Sequence, residues 1–161
     1  MSGFNKYNIL LLFTFVVTML FIKTFVVQLY VVEGTSMLPT LRYGDIVLVY
    51  KLFYAQKIAG FLISIPGPMK IDKQDIILFE TEDSKMLVKR ISGLQGDFFI
   101  RKNNGAYFAD RLRKNQDKVE KIPPEYYLVL GDNKGSSYDS RQIGLIHKLQ
   151  LRGKVIWIFK D

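Results

Sequence analysis

The chain has 161 residues, of which 48% are hydrophobic and 14% aromatic, and it contains no cysteine. This composition excludes intrinsic disorder, disulfide scaffolds and thiolate chemistry, and the length suits one domain with one sizeable core. The net charge of +8 suits either anionic lipid headgroups or nucleic acid as a partner. Because the basic residues are scattered rather than gathered along one face, we expect no nucleic acid partner.

The N-terminal region, residues 7–32, is almost wholly apolar. Its uninterrupted part, residues 9–22, is too short to span a bilayer, but Lys23 stands where a lysine can extend to the headgroups. Counting on to Val27 gives about 20 residues, the length that a membrane helix needs. We therefore predict a membrane anchor over residues 1–29, with a single transmembrane helix at about residues 7–28.

A cleaved secretory signal is the alternative for this segment. No small-x-small cleavage site follows the apolar core, because bulky residues fill most of positions 25–29. We therefore favour a retained anchor. The basic residues do not determine its orientation, since Lys6 precedes the helix whereas Lys23 and Arg42 follow it, and long domains translocate regardless of charge.

Beyond the anchor, short runs of branched and aromatic residues alternate with glycine-rich turns, which is typical of an all-β domain. The predicted strands are residues 45–50, 76–79, 85–92, 98–101, 126–130 and 154–159. Asn103-Asn104-Gly105 predicts a hairpin turn, and residues 107–122 are predicted to form an exposed ribbon or loop. Residues 51–73 have an irregular, apolar pattern that fits either a core-covering loop or a flap resting on the membrane. The predicted fold is mostly β: an N-terminal transmembrane helix followed by an all-β domain.

The stretch 32–41 presents a serine between two strand-like segments. Gly34 permits unusual backbone angles, and Pro39 fixes its own φ and pushes Leu38 towards extended angles. We therefore expect Ser36 to stand on a stiff turn at a set distance from the membrane. A serine hydroxyl is a poor nucleophile until a base takes its proton, so the next question is which residue acts as that base.

The sequence gives little support to two familiar arrangements that activate a serine, a histidine base and a lysine three residues after the serine. His147 is the one histidine of the chain, and no glycine, aspartate or asparagine beside it marks a site. We interpret it as a structural or surface residue. The serine-x-x-lysine arrangement also fails, because Pro39 stands three residues after Ser36.

Lys89 lies within an apolar strand, whereas most of the other lysines lie in polar or turn contexts. Alternation places Leu87, Lys89 and Ile91 on one face of that strand, while Arg90 points the other way and can reach solvent. Removing water from an ammonium group lowers its pKa, so a buried lysine can serve as a base. The alternative is an edge-strand lysine that blocks aggregation.

Four blocks of the chain resemble, in the same order, those of the type I signal peptidases (bacterial leader peptidases). These are membrane-bound serine–lysine dyad proteases that remove signal peptides. The blocks are residues 34–41, 43–49, 89–97 and 131–141. The preceding apolar anchor fits as well, so the resemblance covers most of the chain. One block is a weak signal, but four in order are a strong one.

The resemblance implies roles for five residues. Ser36 would be the nucleophile and Lys89 the general base. In the last block, Ser137 matches the serine that hydrogen-bonds and orients the lysine. Asp139 and Arg141 match an acidic–basic pair that braces the site. No metal and no cofactor are implied.

The implied substrate is an extended preprotein segment with small residues one and three positions before the cut, which adds a strand beside the site. Val32, Met37 and Val88 would line the shallow pocket that admits only small side chains. Some family members carry a serine two positions before the nucleophile, whose hydroxyl helps to hold the oxyanion. Gly34 stands there in this chain, so the backbone N–H of Ser36 would take that role.

The implied fold is a β-rich catalytic domain over residues 30–161 with an extended, membrane-facing surface. Its accessory β region would be reduced to a hairpin at about residues 98–125. The resemblance places the protein in the cytoplasmic (inner) membrane as a single-pass protein, with its catalytic domain on the extracytoplasmic side. Its partners would be preproteins and the lipid bilayer.

The sequence also allows three alternative functions. One is a specialised Ser/Lys processing peptidase of a secretion or conjugation system. Another is a self-cleaving regulator, but those proteins carry a DNA-binding region where this chain has its anchor. The third is a membrane protein that binds signal peptides without cleaving them, and the presence of both Ser36 and Lys89 counts against it.

Overall fold

The computed structural model describes residues 5–51, 56–58, 61–63, 70–102, 105–108 and 118–160. Its first element is a helix, α1, over Lys6–Phe21, which continues as a π-helical turn over Ile22–Val26. The stretch Lys6–Thr24 is long and apolar enough to cross a membrane, and none of it is buried inside the protein. A helix that is apolar all round and packs against no other element is typical of a membrane span.

Strand β1, Val27–Val31, begins directly after the π-helical turn. The transmembrane helix predicted at about residues 7–28 therefore ends earlier than expected, and its last residues belong to the sheet instead. β1 pairs antiparallel with β2, Ile46–Tyr50, from Val27 opposite Tyr50 to Val31 opposite Ile46. The reason is that valine-rich backbone suits a strand, and β2 supplies the hydrogen bonds that a helix would have made internally.

The remaining elements follow in chain order. The strands are β3 (Gln56–Ile58), β4 (Phe61–Ile63), β5 (Ile76–Glu80), β6 (Met86–Gly93), β7 (Phe98–Lys102), β8 (Gly105–Phe108), β9 (Lys118–Lys121), β10 (Tyr126–Leu130), β11 (Ile146–His147) and β12 (Leu151–Phe159). A short helix, α2, spans Ser140–Ile143, and a 3-10 turn spans Lys148–Gln150.

Seven strands form one antiparallel sheet in the order β1-β2-β12-β5-β6-β10-β11. The expectation of a mostly β fold with one N-terminal apolar helix is confirmed. Each predicted strand is present, with ends that differ by at most a few residues. β5 is a continuous apolar run because residues of both its faces are buried.

The accessory region is a separate sheet of three strands in the order β8-β7-β9, rather than the expected hairpin. The third strand forms because Lys118–Lys121 pairs with Phe98–Arg101 along the other edge of β7. Part of the predicted exposed ribbon, residues 107–122, is therefore strand. The predicted turn residues Asn103 and Asn104 lie outside the described residues. Within residues 51–73, β3 and β4 form an antiparallel hairpin where an irregular segment was expected.

The core lies on both sides of β5. Ile76 and Leu78 belong to one buried cluster, with Val47 and Val49 of β2 and the turn that follows β1. Ile77 and Phe79 belong to a second cluster with Ile91, Val129, Ile146 and Leu151. Because β5 pairs with β6, the strand that carries Lys89 is held firmly against the main core.

Candidate active site

Ser36 stands on the turn that follows β1. Gly34 has a φ of +84°, a left-handed conformation that glycine adopts at little cost. A Cβ at Gly34 would meet no atom within 4 Å, so the backbone angle rather than lack of space favours glycine there. Met37 and Leu41 are almost fully buried, and the Leu41 N–H donates to the Met37 carbonyl at 2.9 Å. The turn is thus anchored in the core immediately after the serine.

The structure brings Lys89 to this serine. Lys89 is only 2% exposed, and its Nζ donates to Ser36 Oγ at 2.8 Å and to the Val88 carbonyl at 2.9 Å. Burial lowers the pKa of Lys89 from 10.5 to about 8, although the negative charge of Asp139 acts in the opposite direction. At pH 7 roughly a tenth of the molecules then carry the neutral amine, whose lone pair can accept the serine proton.

Asp139 is a buried carboxylate with a full set of donors. Arg141 Nε donates to one of its oxygens at 2.9 Å and Nη2 to the other at 2.8 Å. The Gly131 N–H and the Ser137 hydroxyl donate to Asp139 Oδ2 at 2.8 and 2.6 Å. Burial would raise the pKa of Asp139, but the hydrogen bonds, led by those from Arg141, hold it below its usual value. Asp139 therefore stays ionised beside the lysine.

Ser137 lies close to the site without a direct hydrogen bond to Lys89 in the described part of the chain. Its hydroxyl donates to Asp139 instead. The direct bond that the resemblance implied is thus replaced by an indirect link, in which the charge of Asp139 raises the pKa of Lys89. Ser137 also packs on Gly131, where a Cβ would stand 2.1 Å from Ser137 Oγ and 2.5 Å from the Ser36 carbonyl oxygen.

Asn133 is a residue to which the sequence analysis assigned no role. Its backbone N–H donates to the Ser36 carbonyl at 3.0 Å, and its Nδ2 donates to the Thr35 carbonyl at 3.1 Å. The Thr35 and Ser136 hydroxyls lie 3.3 Å apart. The loop that precedes α2 therefore holds the turn that carries Ser36 by its backbone. The signals in the sequence were the turn-forming character of that loop and its place in the block 131–141.

Arg90 does not extend to solvent as its position in the strand predicted. Its Nε and Nη2 donate to the two Asp132 carboxylate oxygens at 2.8 and 2.6 Å, and Nη2 donates to Thr40 Oγ1 at 3.2 Å. The side chains of Arg90 and Asp132 are about one-fifth exposed. The loop carrying Asp132 covers this face of β6, because a bidentate ion pair compensates for the removal of water. Arg90 thereby connects β6, the turn that carries Ser36 and that loop.

A cleft of about 250 Å³ opens beside Ser36 and Lys89. The end of β1 with the following turn forms one wall, and residues 86–89 of β6 form the other. Val32 and Met37 are buried and Val88 packs against their cluster, so the three predicted pocket residues do lie together on the apolar lining. Because β1 and β6 are four places apart in the sheet order, the sheet must curl to bring them together.

His147 lies in β11, and in the described part of the chain no hydrogen bond joins it to Ser36. Its Nδ1 accepts the Leu149 N–H at 3.2 Å, and its Nε2 is 3.7 Å from the Glu125 carboxylate. These contacts cap the 3-10 turn that precedes β12. They agree with the interpretation of His147 as a structural residue.

Comparison with known proteins gives consistent findings. The family model described as signal peptidase, peptidase S26, matches residues 6–160. The signal peptidase I of Bacillus caldolyticus is 34% identical over 166 residues, covering 87% of this chain and 85% of that protein. The signal peptidase I S of Bacillus subtilis (strain 168) is 32% identical over 165 residues, covering 89% and 83%. The signal peptidase IB of Staphylococcus aureus is 32% identical over 167 residues, covering 90% and 85%.

Among solved structures, a signal peptidase I from Enterococcus faecalis V583 aligns with a TM-score of 0.42 at 24% identity. The alignment covers 56% of this chain and 100% of that chain. The matches in sequence are more extensive, because the family model spans both the apolar helix and the β-rich region.

Proposed function

Since the chain belongs to the signal peptidase family, peptidase S26, and is a serine peptidase, we propose that it cleaves signal peptides from exported preproteins with Ser36 as nucleophile and Lys89 as general base. One observation carries the assignment of the dyad. A lysine amine that is almost fully buried lies 2.8 Å from a serine hydroxyl at the edge of an apolar cleft. No histidine takes part.

The chemistry follows from this geometry. Neutral Lys89 accepts the Ser36 hydroxyl proton while Oγ attacks the scissile carbonyl carbon, and the carbonyl oxygen becomes an oxyanion. The backbone N–H of Ser36 donates to that oxyanion. The Lys89 ammonium then protonates the leaving amine, which yields the acyl-enzyme and the free mature N-terminus. Lys89 next deprotonates a water that attacks the ester, and it returns the proton to Ser36.

Ser137, Asp139 and Arg141 are positioning residues in this proposal. Asp139 stabilises the ammonium form that Lys89 takes after accepting a proton, because a nearby negative charge favours the cation. Arg141 and Ser137 hold the Asp139 carboxylate in place through hydrogen bonds. The pKa of Lys89 is then a balance between burial, which favours the neutral base, and Asp139, which favours the protonated acid.

The cleft favours a substrate with small side chains. Val32, Met37 and Val88 lie on its apolar lining, and its volume of about 250 Å³ is smaller than that of most ligand pockets. An extended segment between β1 and β6 can pair with backbone groups of either strand. This supports preproteins with small residues one and three positions before the cut as the substrate class.

An exposed apolar patch supports placement on a membrane. Two rows of apolar residues run across β1, β2 and β12. The first row is Leu29, Leu48 and Trp157, and the second is Val31, Ile46 and Phe159. The six residues form two adjacent rows, and five of them are 39–63% exposed. We call them the outer patch. Since β1 continues directly from the apolar helix, we propose that the outer patch rests on the bilayer that the helix crosses.

The membrane and its side belong to the same proposal. Signal peptides of exported proteins emerge on the extracytoplasmic side of the cytoplasmic membrane, so a single-pass anchor would place the catalytic domain there. Protease added to spheroplasts should then degrade the β-rich domain. Protection from that protease would place the domain on the other side.

Cleavage of a preprotein with an alanine-x-alanine site tests the proposed function. In detergent, the wild type should release a product whose N-terminus follows the second alanine, and Ser36→Ala should lower the rate by on the order of 10³-fold or more. Ser84→Gly is the matched control, because it removes an exposed hydroxyl at a φ of 61° that glycine adopts readily. Full activity of Ser36→Ala would refute the nucleophile. A wild type inactive on several preproteins would favour the specialised peptidase or the binding protein.

The outer patch can be tested by fluorescence, because Trp157 is the single tryptophan of the chain. In proteoliposomes, lipids brominated near the headgroup should quench its emission, since the ring would lie within the interface. The control is Trp157→Phe combined with Val119→Trp, which moves the probe to an exposed position on β9. Equal quenching of both proteins, or of neither, would contradict the proposed placement.

A further inference from the structure

The helix and the catalytic sheet are joined without a linker. The π-helical turn ends at Val26 and β1 begins at Val27. β1 is paired along its whole length with β2, and the nucleophile turn follows it. A strand advances about 3.3 Å per residue, so the five residues of β1 separate that turn from the helix end by up to roughly 17 Å.

Lys51, the residue after β2, closes this junction. Its backbone N–H donates to the Val26 carbonyl at 2.7 Å. Its Nζ donates to the Thr24 carbonyl at 3.0 Å and to Gln28 Oε1 at 2.7 Å. The last carbonyls of a helix lack partners within the helix, and a cation is favourable beside them. Lys51 therefore holds the end of the helix, the start of β1 and the end of β2 together.

We propose that Lys51 is a positioning residue that fastens the membrane helix to the sheet and so sets the height of Ser36 above the bilayer. This inference rests on the proposed function. Without the ammonium contacts of Lys51, only the chain itself and the Lys51 N–H bond to the Val26 carbonyl join the helix to the sheet, so the helix can tilt against the sheet and the site can approach or leave the membrane surface. With them, a preprotein must present its scissile bond at one distance, which an extended chain reaches in about five residues beyond its own membrane segment.

Lys23 provides the matched control. It lies in the same π-helical turn and is exposed, so it carries a positive charge at nearly the same depth. In the described part of the chain its Nζ makes no hydrogen bond that joins the helix to the sheet. A general effect of charge near the headgroups should therefore appear in Lys23→Met, whereas an effect of fastening should appear only in Lys51→Met.

The experiment uses the full chain in proteoliposomes. The substrates are preproteins in which three to nine residues separate the apolar segment from the alanine-x-alanine site, together with a soluble peptide containing that site. We expect the wild type and Lys23→Met to prefer one spacer about tenfold over spacers three residues longer or shorter. We expect Lys51→Met to reduce that preference below about threefold, with the rate on the soluble peptide unchanged. Lys51→Arg keeps a cationic donor and should retain the wild-type profile.

A wild-type spacer profile in Lys51→Met would overturn the inference. If Lys51→Met also loses activity on the soluble peptide, Gln28→Met decides, because it removes one acceptor of Lys51 and leaves the backbone contacts in place. A broadened profile in Gln28→Met supports the inference, and an unchanged profile refutes it. A wild type that cleaves neither preproteins nor the peptide would instead refute the proposed function, and this inference with it.

Discussion

Replacing Lys89 with methionine is expected to abolish cleavage and, at pH 7, to stabilise the fold by on the order of 3 kcal/mol. The rate should fall by on the order of 10³-fold or more, because the proposed general base is removed. The stability should rise because the lysine is 2% exposed and its pKa is about 8 instead of 10.5, which means that burial of the ammonium is unfavourable. Methionine has a similar length and carries no charge into that site.

The stabilisation should depend on pH in a defined direction. Between pH 8 and 10.5 the unfolded chain binds a proton at this lysine that the folded protein has released, so the stability of the wild type rises through that window. Below pH 8 Lys89 is protonated in both states, so burial of its ammonium lowers the stability by the full amount. Above pH 10.5 Lys89 is neutral in both the folded and the unfolded chain. The advantage of Lys89→Met should therefore be greatest below pH 8 and vanish above 10.5.

Denaturant unfolding in detergent at several pH values measures this difference. Lys154→Met is the control. Lys154 of β12 and Lys89 of β6 both pair with Ile77 of β5, from its two sides. Lys154 Nζ is 2.7 Å from Asp75, so its removal takes away the cation that pairs with that carboxylate and should destabilise the fold. A lower stability of Lys89→Met than of the wild type at pH 7 would contradict the argument.

The pH profile of the wild type is the companion measurement for the role of Lys89. Because the base must be neutral, kcat/KM should rise about tenfold per pH unit below the pKa and level off above about pH 8. A profile that stays flat from pH 6 to 9 would show that Lys89 is not the titrating base. A fall in activity across that range would show that the protonated form is the active one.

Replacing Gly131 with alanine is expected to impair both the fold and the site. The new Cβ would lie 2.1 Å from Ser137 Oγ and 2.5 Å from the Ser36 carbonyl oxygen. Neither atom can move freely, because Ser137 donates to Asp139 and the Ser36 carbonyl accepts the Asn133 N–H. Overpacking of this kind costs about 1–3 kcal/mol. Displacement of the nucleophile turn should also lower kcat by about 10²-fold in the molecules that remain folded.

Gly153→Ala separates the two effects. Its Cβ would lie 2.3 Å from Val49 Cγ1 and 2.7 Å from the Tyr50 carbonyl oxygen, so it is crowded to a similar degree between β12 and β2. None of these atoms contacts Ser36. Both variants should lose stability, but Gly153→Ala should keep nearly wild-type kcat per folded molecule. Equal kcat in the two variants would show that Gly131 does not position the nucleophile.

Much of the fold and of the chemistry was predictable because the signals are local. Alternation and turn residues located the strands, and an apolar strand context singled out Lys89 among the lysines. The ordered blocks identified the family, which the family model and the relatives confirm. The strands and each block depend on residues that are close together in the sequence, and the order of the blocks is itself read along the chain, so no knowledge of the folded chain was needed.

Partners across the fold were decided by tertiary structure. Arg90 and Asp132 are 42 residues apart. Alternation along the strand therefore predicted that Arg90 reaches solvent, whereas in the fold it binds the Asp132 carboxylate. Lys51 reaches back to Thr24, 27 residues earlier, because β2 returns alongside β1. The helix ends at the π-helical turn for the same reason. The apolar residues there could continue a helix or form a strand, and β2 supplies backbone hydrogen-bond partners from Val27 onwards.

The sequence by itself therefore determined the candidate nucleophile, the candidate base, the N-terminal apolar segment and the β-rich class. Tertiary structure decided how they act together. The curl of the sheet brings β6 to the turn after β1, and the loop before α2 fills the space behind Ser36. The lowered pKa of Lys89 is the clearest case, because it arises from the burial that this packing creates and from the distance to Asp139. Neither is a property of the lysine or of its neighbours in the chain.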